Sequence, residues 1–344
     1  MELFGQLADL RFGRVHMAHD EATGLRAVVA VHSTARGPGI GGCRALRYPS
    51  SEAAITDAMR LGRGMSYKAA CANLPHGGAK AVIMLPEGDF DREALFSAFA
   101  RFVDSLNGDY ITCEDSGTST GDMDVVARHT RHVLGTSNGS GDPSPYTAYG
   151  CRRGIEAAVK FQLGRDSLEG LHVALQGVGH VGYYLAKECH DLGARLTIAD
   201  ISQENIDRAV ADFGATVVAP DEILAVECDV LAPCALGAIL NDATIPALRT
   251  RVIAGAANNM LATDAHGDAL HARGILYAPD YVANAGGLIN VASEHSPDGW
   301  NPDVARAGCT AIYDTLMEIF ERSRATDTPT HIVADQVAEE RIFG

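Results

Sequence analysis

The stretch LHVALQGVGHVGYYLAKECHDLGARLTIAD, residues 171–200, constrains the fold of this chain more than any other part of it. VALQ reads as a buried strand, YYLAKECHDL as a helix and LTIAD as a second strand. Gly177, Gly179 and Gly182 occupy the strand-to-helix turn in the spacing G-x-G-x-x-G, with Val181 between the last two. In such a turn the first glycine permits the tight bend and the second lets backbone approach a pyrophosphate. The third lets helix and strand pack closely, and the helix N-terminus favours negative charge. Asp200 closes the following strand, about 20 residues past the glycines, where an acidic side chain meets the ribose hydroxyls of an adenosine. The segment therefore predicts dinucleotide binding through Gly177, Gly179, Val181, Gly182 and Asp200, and the acid favours NAD over NADP.

The rest of the chain is compatible with such a domain and too long to be only that. With 344 residues, 47% hydrophobic and 21% charged, it is too apolar for disorder and predicts two domains. A net charge of −16 repels a phosphate backbone or an anionic bilayer, which argues against nucleic acid and membrane partners. The start MELFGQLADLRFGRV lacks a basic segment followed by an apolar one, and no window approaches a membrane span, so a cytoplasmic protein is expected. The eight cysteines are scattered singly and none pairs at metal-ligand spacing, which predicts reduced thiols and no metal.

Periodicity outlines the architecture. Leu25–His32 and Lys80–Leu85 are rich in β-branched residues and read as strands. Leu95, Phe99, Phe102, Val103 and Leu106 recur at helical spacing, with Asp91 placed to cap the helix and Asn107-Gly108 to end it. TSNGSGDPSP, residues 136–145, concentrates turn formers and predicts a hinge. Later apolar runs at 229–232, 252–256 and 275–278 alternate with helical segments, as a parallel sheet with crossovers requires. Ile312, Leu316, Ile319 and Phe320 trace one helix face, and Pro329 separates it from a last helical stretch at 331–341. The expected fold is α/β with two domains: an α/β substrate domain over 1–135, a doubly wound nucleotide domain over 136–324, and a cleft between them that closes to exclude water. The segment 325–344 is expected to pack back on the first domain.

Two lysines stand among small, apolar and glycine residues: Lys68 in GMSYKAACANLP and Lys80 in PHGGAKAVIML. Apolar surroundings strip water from an ammonium and ease its deprotonation, whereas a lysine that keeps its charge anchors a carboxylate. Asp115 follows the strand-like YITCED and precedes a polar loop. One proton-exchanging lysine, one carboxylate-binding lysine and one carboxylate suffice to oxidise a C–N bond. The imine left by hydride loss must be attacked by water, which needs a base, and the amine must depart, which needs a proton donor. The histidine-centred segment of many hydroxy-acid dehydrogenases is missing.

The segments GPGIGGCRALRYPSSEAAITDAMRLGRGMSYKAACANLPHGGAKAVIML, YITCEDSGTSTGDMD, PSPYTAYG, APCALGAILN, AGAANN and APDYVANAGGLIN resemble the glutamate/leucine/phenylalanine/valine dehydrogenase family, in family order from about residue 25 to 295. They look closest to its small branch, which acts on leucine, valine, phenylalanine and tryptophan. The resemblance implies that Lys68 holds the substrate carboxylate, Lys80 is the general base and Asp115 shuttles protons at the amine. It implies substrate contacts from Ile40, Gly41, Cys113, Leu288 and Val291. It also implies a role for Asn258 in placing substrate or nicotinamide, a place for Thr147 beside the nicotinamide, and a homo-oligomer, whether dimer, tetramer or octamer. Two departures stand out: Ala79 replaces a glycine of the family's G-G-G-K, and Leu85-Pro86 replaces its D-P.

The wall of Ile40, Cys113, Leu288 and Val291 is apolar or nearly so, and a buried glutamate carboxylate would lack a partner there, at a cost of several kcal/mol. An aliphatic or aromatic side chain gains roughly 25 cal/mol per Å² of apolar surface buried. The reaction expected is thus the reversible, NAD-dependent conversion of an apolar L-amino acid to its 2-oxo acid and ammonia. The competing expectations are a catalytically silent dinucleotide sensor and hydride transfer on another substrate class, such as a 2-hydroxy acid.

Overall fold

Five strands build the first sheet, β1 (Arg14–Asp20), β2 (Leu25–Ser33), β3 (Gly39–Leu46), β4 (Gly77–Met84) and β5 (Tyr110–Glu114), and burial is nearly continuous along β2, β3 and β4 because both faces are covered. The computed structural model describes residues 3–344; Met1 and Glu2, which open the predicted first domain and N-terminal stretch, lie outside the described residues. Sheet order is β1-β2-β4-β3-β5, with β1, β2 and β4 antiparallel and β4, β3 and β5 parallel. Each face buries its own core. Val29, Val31, Ala81 and Ile83 pack on one side with Leu95, Phe96, Phe99 and Val103 of the helix Arg92–Ser105. Val28, Ala30, Val82 and Met84 pack on the other with Ala54, Ile55, Ala58 and Met59 of the helix Ser51–Cys71. Full burial of each valine, leucine, isoleucine, phenylalanine or methionine in these cores contributes about 1.5–3 kcal/mol. Asp91 caps its helix as expected, accepting from the Ala94 amide at 3.0 Å, and the chain leaves through Asn107 and Gly108 at positive φ.

The second sheet is entirely parallel: β6 (His172–Gln176), β7 (Arg195–Ala199), β8 (Thr216–Val217), β9 (Val230–Pro233), β10 (Val252–Ile253) and β11 (Leu276–Tyr277). Its order, β11-β10-β9-β6-β7-β8, is that of a doubly wound nucleotide-binding sheet, reversing direction beside β6. The runs expected at 252–256 and 275–278 pair over only two residues each. Ile312, Leu316, Ile319 and Phe320 are all buried on the helix Ile312–Thr326, and the helix Thr330–Phe343 starts directly after Pro329.

The chain divides into two units, one of residues 1–141, 291–301 and 338–344 and the other of 142–290 and 302–337. Residues 136–141 and 291–301 join the first unit because Glu294 accepts from the amides of Gly135 (3.0 Å) and Ser140 (2.8 Å) and from the Ser140 hydroxyl (2.6 Å). At the C-terminus, Arg341 donates to the carbonyls of Ala70 and Cys71, and Tyr67 hydrogen-bonds Glu339. Of the segment 325–344, only 338–344 belongs to the first unit.

Candidate active site

Lys80 and its neighbours on β4 point to opposite faces. Ala79, Ala81 and Ile83 enter the core under the helix Arg92–Ser105, and Val82 and Met84 face the helix Ser51–Cys71 with Ala30, whose strand partner is Lys80. That helix crosses β4 so closely that a Cβ on Gly78 would lie 1.9 Å from the Ser66 amide nitrogen. On β3, a Cβ on Gly41 would lie 1.8 Å from the Ala79 carbonyl oxygen, so only glycine lets the strands approach. The run of glycines around Lys80 is a packing requirement. Ala79 fits because its methyl is fully buried on the face away from Lys80, with ordinary strand φ, and Gly39 opposite supplies the room.

The Lys80 ammonium, on a residue only 5% exposed, lies 3.0 Å from Oδ2 of Asp115, just past the end of β5. Arg44 of β3 donates through Nε to the same oxygen at 3.0 Å and through Nη1 to Oδ2 of Asp57 at 3.1 Å. Asp57, on the helix Ser51–Cys71, also accepts from the Tyr48 hydroxyl at 2.7 Å and from Arg60 at 3.0 Å. Burial alone would push the Asp115 carboxyl up. The Lys80 and Arg44 charges, with the hydrogen bonds both donate, outweigh it and hold the carboxyl below its ordinary range. Burial pushes the neighbouring Cys113 thiol up to about 12, which keeps it uncharged.

Lys68 sits half-buried in the last turn of the helix Ser51–Cys71, two positions beyond Ser66. Gly41 accepts the buried Tyr110 hydroxyl at 2.7 Å through its carbonyl. Cys113 and Val291 retain some exposed surface, while Ile40 is fully enclosed. Lys68, Lys80, Asp115, Ile40, Gly41, Cys113 and Val291 all belong to the first unit. Arg44 and Asp57 are the participants that sequence reasoning missed. Both lie inside the long segment that carries the family resemblance, where no local signal sets them apart.

In the second unit, Gly177 adopts φ +91°, and a Cβ there would meet Ala235 at 2.8 Å. A Cβ on Gly182 would sit 2.1 Å from the Gly177 carbonyl oxygen, whereas one on Gly179 would meet nothing within 4 Å. No neighbour in the chain demands glycine at 179, so the opening above it fits a ligand that approaches the backbone. Val181 lies in the first turn of the helix His180–Asp191. Asp200 accepts from the Val178 amide at 2.7 Å and the Ser202 amide at 2.8 Å, which ties the acid to the glycine turn. Beside it, Ile201 is 96% exposed, and a shallow cavity is lined by Asp200, Ile201, Ile206, Val217 and Pro220. Thr147, in the first turn of the helix Ser144–Leu163, lies against Gly287, next to half-buried Leu288. Asn258 is exposed and is oriented by the buried Asn284, which donates to its Oδ1 at 2.8 Å and to the Ala256 carbonyl at 3.1 Å. Asn284 is a third residue that sequence reasoning missed. Among the described residues no three His, Cys, Asp or Glu side chains cluster as a metal site, all eight cysteines are free, and no helix is long and apolar enough to cross a membrane.

Residues 10–132 match the family model of the Glu/Leu/Phe/Val dehydrogenase dimerisation domain, and residues 197–302 match that of the glutamate/leucine/phenylalanine/valine dehydrogenases. The chain is 50% identical over 345 positions to leucine dehydrogenase of Thermoactinomyces intermedius, covering 99% of this chain and 94% of that one. It is 44% identical over 335 positions to valine dehydrogenase of Streptomyces virginiae, covering 96% and 93%. The crystal structure of L-tryptophan dehydrogenase from Nostoc punctiforme superposes with a TM-score of 0.90 at 41% identity, covering 98% of both chains.

Proposed function

The chain belongs to the glutamate/leucine/phenylalanine/valine dehydrogenase family, and from that premise we propose that it catalyses the reversible, NAD-dependent oxidative deamination of an apolar L-amino acid to its 2-oxo acid and ammonia. The observation that carries this reading is the Lys80–Asp115 pair, a buried ammonium 3.0 Å from an ionised carboxylate. In the proposed reaction Lys68 binds the substrate carboxylate. Asp115 takes a proton from the substrate ammonium; a dinucleotide held at the glycine turn would supply the acceptor for the Cα hydride. Lys80 then removes a proton from the water that attacks the resulting iminium carbon; Asp115 returns its proton to the nitrogen, and as the C–N bond breaks and ammonia leaves, the hydroxyl gives its proton to water and becomes the carbonyl.

In the cofactor half, we read Gly177, Gly179, Val181 and Gly182 as the pyrophosphate cradle and Asp200 as the acceptor of ribose hydroxyls. Two observations support NAD: the opening above Gly179, and the negative charge of Asp200, which opposes a 2′-phosphate. Thr147 and Asn258 are read as nicotinamide neighbours. Gly41, Cys113 and Val291 of the first unit, with Ile40 enclosed beside Gly41 on the same strand, and separately Leu288 of the second unit, are read as the residues selecting the substrate side chain; all are apolar or nearly so, which disfavours a glutamate carboxylate. We further read the protein as a homo-oligomer, supported by the dimerisation-domain match, and as cytoplasmic, supported by its free thiols.

The test is NADH formation by purified protein with NAD and each of leucine, valine, phenylalanine, tryptophan and glutamate, alongside Lys80→Ala. Turnover with an apolar amino acid, strict ammonium dependence of the reverse reaction and loss of turnover in the variant are expected. An enzyme that reduces 2-oxo acids without ammonium would overturn the reading.

A further inference from the structure

Asp115 is held by two cations at one oxygen. Lys80 Nζ and Arg44 Nε both lie 3.0 Å from Oδ2, and Oδ1 has no hydrogen-bond partner among the described residues. Arg44 is itself fixed from behind, since its Nη1 donates to Asp57, which is anchored by Tyr48 and Arg60. A guanidinium gripped through two different nitrogens cannot pivot without losing one of those bonds. The chain Asp57–Arg44–Asp115 therefore fixes the rotation of the Asp115 carboxyl and presents Oδ1 alone for proton exchange.

We propose that Arg44, braced by Asp57, is a positioning residue that keeps Asp115 ionised, whatever the charge on Lys80, until it takes the substrate proton, and holds it oriented throughout. The proposal rests on the amino acid dehydrogenase reading above. In that reaction the N–H bond of the substrate ammonium breaks, an O–H bond forms at Asp115 Oδ1, and the amine lone pair left behind expels hydride from Cα to the dinucleotide. When Lys80 is neutral and ready to act as a base, Asp115 loses one of its two counter-charges. Arg44, which stays protonated at any working pH, supplies the other. Of the other groups near Asp115, two are thiols that stay uncharged and one, the Asp57 carboxylate, is paired with Arg44 and Arg60. The thiols of Cys43 on β3 and Cys113 on β5 are both pushed up by burial, and Asp57 and Tyr48 are screened behind the guanidinium.

The test is the pH profile of kcat for the full-length enzyme with its best apolar amino acid, in wild type, Arg44→Gln, Arg44→Lys and Asp57→Asn. In Arg44→Gln the acid limb of kcat should move to higher pH by about one unit, and kcat should fall about 10- to 100-fold with KM for NAD unchanged. Arg44→Lys should restore the position of the acid limb, because charge returns, but not the full kcat, because a lysine cannot reach Asp115 and Asp57 together. Asp57→Asn should lower kcat with a smaller displacement of the limb. If Arg44→Gln does not fold, Arg44→Lys and Asp57→Asn report the same quantities. A wild-type acid limb and wild-type kcat in any folded member of the set overturn the positioning role. Failure of the wild type to turn over any amino acid overturns the function itself, so the two failures are distinguishable.

Discussion

Replacing Gly179 and Gly182 separately by alanine divides what the glycine turn does for the fold from what it does for the ligand. At Gly182 the new methyl would sit 2.1 Å from the Gly177 carbonyl oxygen and 3.3 Å from Cys234 Cβ. An ordinary carbon–oxygen contact needs more than an ångström of extra separation, so the helix His180–Asp191 must lift away from β6. Overpacking of this kind costs about 1–3 kcal/mol, which lowers the melting temperature by about 2–4 °C per kcal/mol in a domain of this size class. At Gly179 the methyl meets nothing within 4 Å, and the expected loss is the small one of alanine for glycine at a helix N-cap, under about 1 kcal/mol. Its methyl does occupy the space where a pyrophosphate would approach, and withdrawal of that contact should weaken NAD binding about 10- to 100-fold, or about 1.4–2.8 kcal/mol. Thermal unfolding paired with titration of NAD by intrinsic fluorescence measures both quantities. Gly182→Ala should lose stability and affinity together, and Gly179→Ala affinity alone. NAD bound by Gly179→Ala as tightly as by the parent would refute the assignment of the turn as the pyrophosphate site.

Two further outcomes follow from the same structure. His32 and His76, almost fully buried, are each lowered from 6.5 to about 4, chiefly by burial. The unfolded chain therefore binds more protons than the folded one between these values, and stability should fall as pH drops from about 6.5 to 4, by up to about 1.4 kcal/mol per pH unit for each histidine. Urea unfolding across that window should show a shallower dependence in His76→Leu, and an unchanged slope would count against a neutral buried imidazole at this position. Asp200→Asn removes the charge that opposes a 2′-phosphate but keeps an acceptor for the Val178 or Ser202 amide. The ratio of kcat/KM for NADP to that for NAD should rise about 10-fold or more, whereas a constant ratio would show that Asp200 does not select the cofactor.

Local chemistry makes much of this protein legible in its sequence. The strand–glycine–helix–strand pattern around Gly177 and the acid at Asp200 depend on turn geometry and short-range periodicity, and both appear where the residues put them. The same holds for Asp91 and its helix, because a cap and an apolar stripe are properties of neighbouring residues. Lys68, Lys80 and Asp115 stand out because charged groups among glycines and small apolar residues demand a reason.

What the sequence by itself determined, then, was the set of elements whose causes lie within a few residues and the identity of the chemically exceptional side chains. Only the tertiary structure decided what those side chains touch. Lys80 meets Asp115 across 35 positions and Arg44 meets it across 71. Arg44 and Asp57 are ordinary surface-type residues in sequence, and they become a brace only because β3, β5 and the helix Ser51–Cys71 converge. Glu294 likewise draws residues 135–140 into the first unit from more than 150 positions away. Long-range pairings of this kind leave no periodic trace, since the partner of a charge is set by how sheets and helices stack and not by what precedes it in the chain.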